Sequence, residues 1–163
     1  MDAIAHTASP FHLNAVEPDE LIVPAVKGTV GVLQSALAEP SVKRIVVTSS
    51  CASVLTALPE PRVFSEKDWN DAAIEEAKQK GRDALPVVKY RASKTLAEKA
   101  AWDFYEKNKS KVSWDLVVLN PPFVFGPVIH AVSSPGSLNQ SMHEWFHTVF
   151  KGAKDTESLA KLG

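Results

Sequence analysis

The sequence predicts an α/β fold with a mostly parallel sheet, and two patterns along the chain lead to that prediction. Short apolar runs rich in β-branched residues alternate with longer segments in which apolar residues recur every three or four positions. The two longer apolar runs are continuous rather than alternating, which is typical of strands buried on both faces of a parallel sheet. The order strand, helix, strand, helix, strand favours right-handed crossovers between parallel neighbours.

Three segments are predicted strands: Ala3–Ala5, Arg44–Thr48 and Trp114–Leu119. Each is followed by small, polar or proline residues, in the sequences HTASP, SSCAS and NPP. Any strand must end in a turn, but in open parallel sheets ligands bind beyond the carboxyl ends of the strands. The three strand ends therefore give the first indication of a functional site.

Helices are predicted between and after the strands from apolar stripes at helical spacing. The stripes comprise Val26, Val30, Leu33 and Leu37 in a helix that Pro24 begins, Ala92, Leu96, Ala100 and Phe104 in a helix over about 87–107, and Met142, Trp145, Phe146 and Val149 in a last helix. A mostly polar helix is expected over Asp68–Lys80, closed by Gly81. The polar tail, 151–163, is expected to fray, which leaves 1–150 as the predicted domain.

Composition excludes several classes of function. The 163 residues carry 18 Lys and Arg against 19 Asp and Glu, so the formal net charge is −1 and no nucleic-acid partner is expected. No apolar run approaches the roughly 20 residues that cross a bilayer, so no membrane partner is expected either. The single cysteine, Cys51, makes an internal disulfide or a cysteine-based zinc site impossible. A reducing, cytoplasmic location is therefore expected.

Tyr90 and Lys94 are the first candidates for chemistry, because residues four apart on a helix share a face. A phenol with its usual pKa near 10 is a poor acid or base at neutral pH. An ammonium about 4 Å away would contribute up to roughly 4 kcal/mol, enough to lower the pKa of the phenol by as much as about three units. The pair is thus a candidate proton shuttle, although Tyr and Lys at this spacing are common on solvated helix faces.

Ser49 and Ser50 follow the second predicted strand and supply a hydroxyl at the same end of the sheet. A serine at that place is suited to hold a substrate carbonyl beside the phenol that protonates it. The tandem leaves open which of the two serines has this role.

These motifs together resemble the extended short-chain dehydrogenase/reductase family, within the branch of dihydroflavonol 4-reductase, cinnamoyl-CoA reductase and the NADPH-dependent methylglyoxal and aldehyde reductases. The segments that carry the resemblance are His6–Pro10, Pro24–Thr29 with Leu33, Lys43–Ser50, Tyr90–Lys94 and Asn120–Pro127. They occur in the family's order and cover the chain up to about residue 140. The resemblance implies a partial Rossmann-like, doubly wound sheet that binds NADP, with NAD as the alternative.

The resemblance also implies roles for individual residues. Ser50 would polarise the carbonyl of a small aldehyde or ketone, with Ser49 as the alternative. Tyr90 would deliver the proton, and Lys94 would lower its pKa and bind the nicotinamide ribose. The residues expected to line the cofactor are Thr7, Ala8, Ser9, Thr48, Ser49, Tyr90, Lys94, Pro121, Pro122 and Val124.

One departure from the family pattern concerns the glycine-rich turn that holds the cofactor pyrophosphate. Gly28 and Gly31 do not replace it, because they lie within a helical stripe and do not follow a strand. The sequence is therefore expected to be the middle of a reductase that binds dinucleotide weakly and exposes the edge of its first strand to self-association. The alternative function is a catalytically silent reductase fragment that acts as an interaction module.

A minor alternative is a zinc hydrolase, since His143, Glu144 and His147 match the pattern HExxH. Histidines at i and i+4 face one metal ion, and the glutamate activates water. The neighbouring Trp145 and Phe146 make a core-directed helix the stronger interpretation, so no metal site is predicted.

Overall fold

The structure, a computed structural model, describes residues 1–152 and shows alternating strands and helices. The strands are β1 (Ala3–His6), β2 (Arg44–Thr48) and β3 (Asp115–Leu119), and the helices are α1 (Asp19–Leu37), α2 (Asp71–Lys80), α3 (Pro86–Asn108) and α4 (Gln140–Phe146). A π-helical segment, His147–Gly152, follows α4. The predicted tail over 151–163 falls almost wholly outside the described residues.

The chain divides into two compact units after Pro122. The first unit, Met1–Pro122, holds all three strands together with α1, α2 and α3. The second unit begins at Phe123 and holds α4. This boundary lies inside the 1–150 segment that the sequence predicts as one domain.

The three strands form one parallel sheet in the order β1-β2-β3, which confirms the predicted α/β class. The register pairs Ile4 with Ile45 and Ile45 with Leu116, so the same layer of branched side chains runs across the sheet. Because the strands are parallel, the segments that follow His6, Thr48 and Leu119 all leave from one end of the sheet.

The main core lies between this sheet and helices α1 and α3. Its buried members are Leu33, Ala36, Val42, Ile45, Val47, Ala101, Trp114 and Leu116. The indole Nε1–H of Trp114 donates to the carbonyl of Ala36 at 3.3 Å, so the polar atom of this buried ring is satisfied. Burial of this layer holds α3 against the strands.

Helix α1 begins earlier than the sequence predicts. Pro24 was expected at the start of the helix, but it lies inside it, five residues after Asp19. Proline costs a helix one backbone hydrogen bond, and this cost is borne because Leu21 is fully buried on the same face as Ala25. The apolar contact made by the first turn therefore outweighs the local preference of proline.

Helix α3 carries the predicted proton shuttle and begins at Pro86, which suits the first helical position. Its first turns pack on α2 through a second small core. The buried residues of this core are Ala73, Ala77, Ala84, Val88 and Ala92, with Ile22 and Ile74 at its margin. The second core therefore supports the segment of α3 on which Tyr90 and Lys94 lie.

Candidate active site

The turn after β2 brings Ser50 to the end of the sheet with its side chain directed away from that of Ser49. Ser50 has extended backbone angles (φ −162°, ψ 150°), and consecutive side chains of an extended chain point to opposite sides. Its hydroxyl accepts from the amide of Ala52 at 3.1 Å, and so caps the 3₁₀ turn Cys51–Ser53. Ser50 is thereby held half-buried at the strand end.

Tyr90 is brought to Ser50 by the first turns of α3, so that the phenol and the Ser50 side chain lie close enough to interact. Burial raises the pKa of the Tyr90 phenol above its ordinary value of 10.0, and the interaction with Ser50 opposes that rise. The sequence predicts that Lys94 lowers the pKa of Tyr90. In the structure this pKa is raised, so the predicted direction is wrong. The phenol is held in its protonated form at neutral pH.

Lys94 lies one helical turn beyond Tyr90 and is buried, with 6% of its surface exposed. Its ammonium donates to the backbone carbonyl of Thr48 at 3.2 Å, so it lies at the carboxyl end of β2. Burial lowers the pKa of Lys94, and the negative charge of Glu98 opposes that change. The ammonium is therefore held at the end of β2, against the backbone of Thr48.

Phe11, in the segment after β1, packs its ring on that of Tyr90 with centroids 4.4 Å apart. The side chain remains 37% exposed. This aromatic contact contributes to the burial of Tyr90 and fixes the plane of its ring. No pattern in the sequence singles out Phe11, because it lies far from Tyr90 along the chain and the two rings meet only in the folded structure.

Ser49, the alternative to Ser50, belongs to a buried polar cluster. Its hydroxyl donates to Oε2 of Glu98 at 2.5 Å and lies 3.4 Å from the hydroxyl of Ser53. The same carboxylate oxygen accepts from Ser53 at 2.6 Å and from the amide of Asn120 at 2.8 Å. The geometry therefore supports Ser50, and not Ser49, as the serine beside the phenol.

Glu98 is the residue around the site that sequence reasoning missed. It lies four residues after Lys94 and eight after Tyr90, so all three share one face of α3. Only 4% of Glu98 is exposed, which is unusual for a glutamate. The spacing of Tyr90, Lys94 and Glu98 was a signal available in the sequence, but the buried partners of the carboxylate were not.

His6 ends β1 close to Lys94 and is buried. Its Nε2 lies 3.3 Å from the hydroxyl of Thr29 on α1. Burial lowers the pKa of His6, and the positive charge of Lys94 lowers it further. The imidazole is thus kept neutral and ties β1 to α1 beneath the site.

The segment Thr7–Ser9, predicted to face the cofactor, leaves the sheet beside His6. Thr7 and Ala8 are exposed, whereas the hydroxyl of Ser9 is buried and has no hydrogen-bond partner within residues 1–152. An unpaired buried hydroxyl costs free energy unless another group bonds it. The polar groups of a dinucleotide would satisfy this atom, so the segment fits the predicted cofactor.

Pro121 is held against the serine turn, since the amide of Cys51 donates to its carbonyl at 3.0 Å. Pro122 is exposed and is the last residue of the first unit. Val124 belongs to the second unit and is 67% exposed there. The structure thus joins Pro121 to the serine turn and leaves the cofactor role of Val124 a prediction.

The HExxH segment occupies α4 and the start of the π-helical segment, where the rings of His143 and His147 lie 4.2 Å apart. Glu144 accepts a hydrogen bond from Gln140 at 2.6 Å. Among the described residues, no group of three or more His, Cys, Asp and Glu side chains is placed to hold a metal ion. In the same part of the chain, no helix has the length and apolar character to cross a membrane.

Comparison with known proteins agrees with the motifs and the fold. The sequence profile of the family described as male sterility protein matches residues 1–159. A ketoreductase of Aspergillus niger is 44% identical over 145 residues, which are 88% of this chain and 40% of that protein. The NADPH-dependent methylglyoxal reductase of Saccharomyces cerevisiae is 36% identical over 97% of this chain and 50% of its own length.

A solved structure gives the same result. The crystal structure of the yeast methylglyoxal/isovaleraldehyde reductase complexed with NADPH has a TM-score of 0.76 and 34% identity, over 91% of this chain and 44% of that one. The chain therefore spans about two fifths to a half of the length of the curated relatives it matches. The expected resemblance to extended short-chain dehydrogenases and the Rossmann-like fold are confirmed.

Proposed function

Because the chain belongs to the male sterility protein family of NAD-binding reductases, we propose that it carries the catalytic residues of an NADPH-dependent carbonyl reductase. The reaction is the reduction of an aldehyde or ketone to an alcohol, or its reverse. NAD is the alternative cofactor. The reductases similar to this chain support this reaction class, and the geometry of its own residues supports the assignment of roles.

One observation carries the proposal: the Tyr90 phenol lies beside the Ser50 side chain, and Lys94 is buried one helical turn further along α3. A phenol and a hydroxyl in contact offer two donors to a single carbonyl oxygen. Two such donors stabilise the negative charge that develops on that oxygen as the carbonyl is reduced. The three residues therefore form an arrangement that activates a carbonyl group.

When bound, NADPH supplies the hydride that is added to the carbonyl carbon. Ser50 holds the carbonyl oxygen, and Tyr90 transfers its phenolic proton to it. The raised pKa of Tyr90 favours this direction, because the phenol is protonated at neutral pH before the reaction begins. Phe11 limits the entry of water on one face of the phenol.

Lys94 lies at the end of β2, where its ammonium is anchored on Thr48 and balanced by Glu98. From that place its charge stabilises the phenolate that remains after proton transfer, since opposite charges attract strongly where water is excluded. Within residues 1–152 the described hydrogen bond of the ammonium is the one to Thr48, so further N–H donors are available for the ribose hydroxyls of the cofactor.

The cofactor would lie across the carboxyl ends of the strands, as ligands do in open parallel sheets. The residues that we propose to hold it are Thr7, Ala8, Ser9, Thr48, Ser49, Tyr90, Lys94, Pro121, Pro122 and Val124. The unpaired hydroxyl of Ser9 supports this placement. Because the hydroxyl of Ser49 is bonded to Glu98, we propose that Ser49 contacts the cofactor through its backbone.

The proposed substrate is a small aldehyde or ketone, by analogy with the methylglyoxal and isovaleraldehyde named for the yeast structure. A cytoplasmic location and self-association through β1, which lies at the edge of the sheet, are further parts of the proposal. The single cysteine, Cys51, fits a reducing compartment.

The experiment mixes the purified chain with NADPH or NADH and follows loss of the reduced cofactor on addition of methylglyoxal, isovaleraldehyde or an aromatic aldehyde. The proposal expects turnover that Tyr90→Phe removes, while binding of NADPH, measured by calorimetric titration, is retained. If the wild-type chain binds NADPH but reduces none of these substrates, the catalytic assignment is wrong. If it binds neither cofactor, a catalytically silent module is the better description.

A further inference from the structure

Glu98 is a buried carboxylate that the proposed proton transfer does not use. All three of its hydrogen bonds described above end on the same oxygen, Oε2. An ionised group in the interior is costly unless charge-assisted hydrogen bonds compensate for the lost water. The donors come from separate parts of the fold, so the carboxylate joins elements that are distant in sequence.

The donors are also the immediate neighbours of Ser50. Ser49 precedes it in the chain. The hydroxyl oxygen of Ser53 lies 2.7 Å from the carbonyl oxygen of Ser50, so its single proton is shared between that carbonyl and Glu98. The amide of Asn120, which follows β3, also reaches that carbonyl, at 3.2 Å. Each of these three donors is therefore either joined covalently to Ser50 or lies within hydrogen-bond distance of its carbonyl oxygen.

Glu98 and Tyr90 lie on the same helix, two turns apart, so α3 meets Ser50 at two places. The first turns of α3 carry the phenol, and the middle of the helix holds, through Glu98, the residues that contact the Ser50 backbone. Displacement of the Ser50 peptide would change the distance between the hydroxyl and the phenol while leaving the helix intact.

We infer that Glu98 is a positioning residue, which holds Ser50 against Tyr90 through its bonds to Ser49, Ser53 and Asn120. Its importance for a reaction rests on the proposed reductase function, but its effect on the contact between Ser50 and Tyr90 does not. The inference therefore has one test that needs no catalysis and one that does.

The first test follows the Tyr90 ring by NMR in the full chain labelled with carbon-13 at the phenol carbon that bears the oxygen. The chain has two tyrosines, and Tyr90→Phe assigns the signals. We expect Glu98→Ala to move the Tyr90 signal in the direction that Ser50→Ala moves it. In a chain that already carries Ser50→Ala, Glu98→Ala should cause no further displacement.

Glu106→Ala is the matched control, because Glu106 lies on the same helix in an exposed pair with Lys109. It should leave the Tyr90 signal in place. Glu98→Gln keeps an acceptor oxygen of the same reach, so it should restore most of the wild-type signal position. Should Glu98→Ala fail to fold, Asn120→Ala removes one donor shared by Glu98 and the Ser50 carbonyl, and should give a smaller displacement of the same sign.

The second test measures turnover of a carbonyl substrate. A displacement of about 1 Å in a reacting group lowers rates by about a hundredfold, so Glu98→Ala should lower kcat by about that factor with little change in KM. In the Ser50→Ala background the same change should cost no more than about twofold, because two residues that act through one contact are not additive.

The outcomes separate the inference from the function on which it rests. A wild-type chain without turnover refutes the proposed reductase, while the NMR test still judges the role of Glu98. The inference is overturned if folded Glu98→Ala or Asn120→Ala leaves the Tyr90 signal at its wild-type position. It is also overturned if Glu98→Ala lowers kcat by the same factor with and without the Ser50 hydroxyl.

Discussion

The carboxylate of Glu98 accepts a hydrogen bond of 2.5 Å from the hydroxyl of Ser49, a residue 49 positions earlier in the chain. This contact gives Ser49 an environment different from that of the adjacent Ser50, although the two side chains are chemically identical. Ser49 is directed into the buried cluster beneath the sheet end, and Ser50 is directed toward the phenol of Tyr90. The two hydroxyls are thus expected to respond differently to the same substitution.

Ser50→Ala should lower turnover more than Ser49→Ala does. Loss of the Ser50 hydroxyl removes a donor to the carbonyl oxygen, and loss of one such donor typically lowers kcat by about a hundredfold or more. Ser49→Ala removes one charge-assisted bond from a buried carboxylate, so its main effect should be a loss of about 2 kcal/mol in the free energy of unfolding. Steady-state kinetics and urea unfolding of both variants measure the two effects. The reverse order in turnover would assign the role to Ser49.

Tyr90→Phe should remove the proton donor and keep the ring that packs on Phe11. General acid catalysis contributes about a hundredfold to ten-thousandfold in rate, so turnover should fall within that range. Tyr105→Phe is the control, since the Tyr105 ring packs on Trp114 in the core with centroids 5.6 Å apart. Equal rates for the Tyr90 variant and the wild type, measured by NADPH oxidation, would show that another group supplies the proton.

Lys89→Met should destabilise the first unit although Lys89 takes no part in the proposed chemistry. The buried Lys89 ammonium donates to the carbonyls of Ala15, Val16 and Arg82 at 3.2, 2.7 and 2.8 Å. Its loss would leave buried carbonyl groups unpaired, so the free energy of unfolding should fall by roughly 2–4 kcal/mol.

Urea unfolding provides the measurement for Lys89→Met, and Lys107→Met is its control. Lys107 lies on the same helix in an exposed pair with Asp103 at 2.8 Å. An exposed ion pair of this kind contributes between about 0 and 1 kcal/mol, so the control should unfold close to the wild type. Equal midpoints for the two variants would mean that the carbonyls around Lys89 find other donors.

Stability should decrease as the solution is acidified through the range in which an unfolded histidine takes up a proton. In the folded chain the pKa of His6 lies below its ordinary value of 6.5. Below that pH the unfolded state binds a proton that the folded state does not, so the free energy of unfolding falls with pH until the folded pKa is reached.

His6→Asn removes this titration and provides the comparison. Between about pH 7.5 and about pH 5.5, the midpoint of urea unfolding should fall less in the variant than in the wild type. The reason is that only the wild type carries a histidine whose pKa is lower in the folded than in the unfolded state. Equal changes in the two proteins would show that the neutral form of His6 is not required by the fold.

Much of the architecture was predictable because it depends on local patterns. The continuous apolar runs at Arg44–Thr48 and near Leu116 predicted buried parallel strands, and the four-residue spacing of Tyr90 and Lys94 predicted a shared helix face. The predicted start of α1 at Pro24 was wrong, because the burial of Leu21 outweighs the preference of proline for the first turn of a helix. Local propensity is weak compared with an apolar contact formed by the whole fold.

The sequence by itself determined the strand order along the chain, the helix face of the proton shuttle and the serines at the end of β2. Only the tertiary structure decided between Ser49 and Ser50, brought Glu98 and Asn120 to the same peptide unit, and turned Lys94 toward Thr48. Helix and strand periodicity act over a few residues, whereas these contacts join residues that meet only when α3 packs on the sheet. The pKa of Tyr90 follows the same rule, because its burial depends on that packing and on the ring of Phe11.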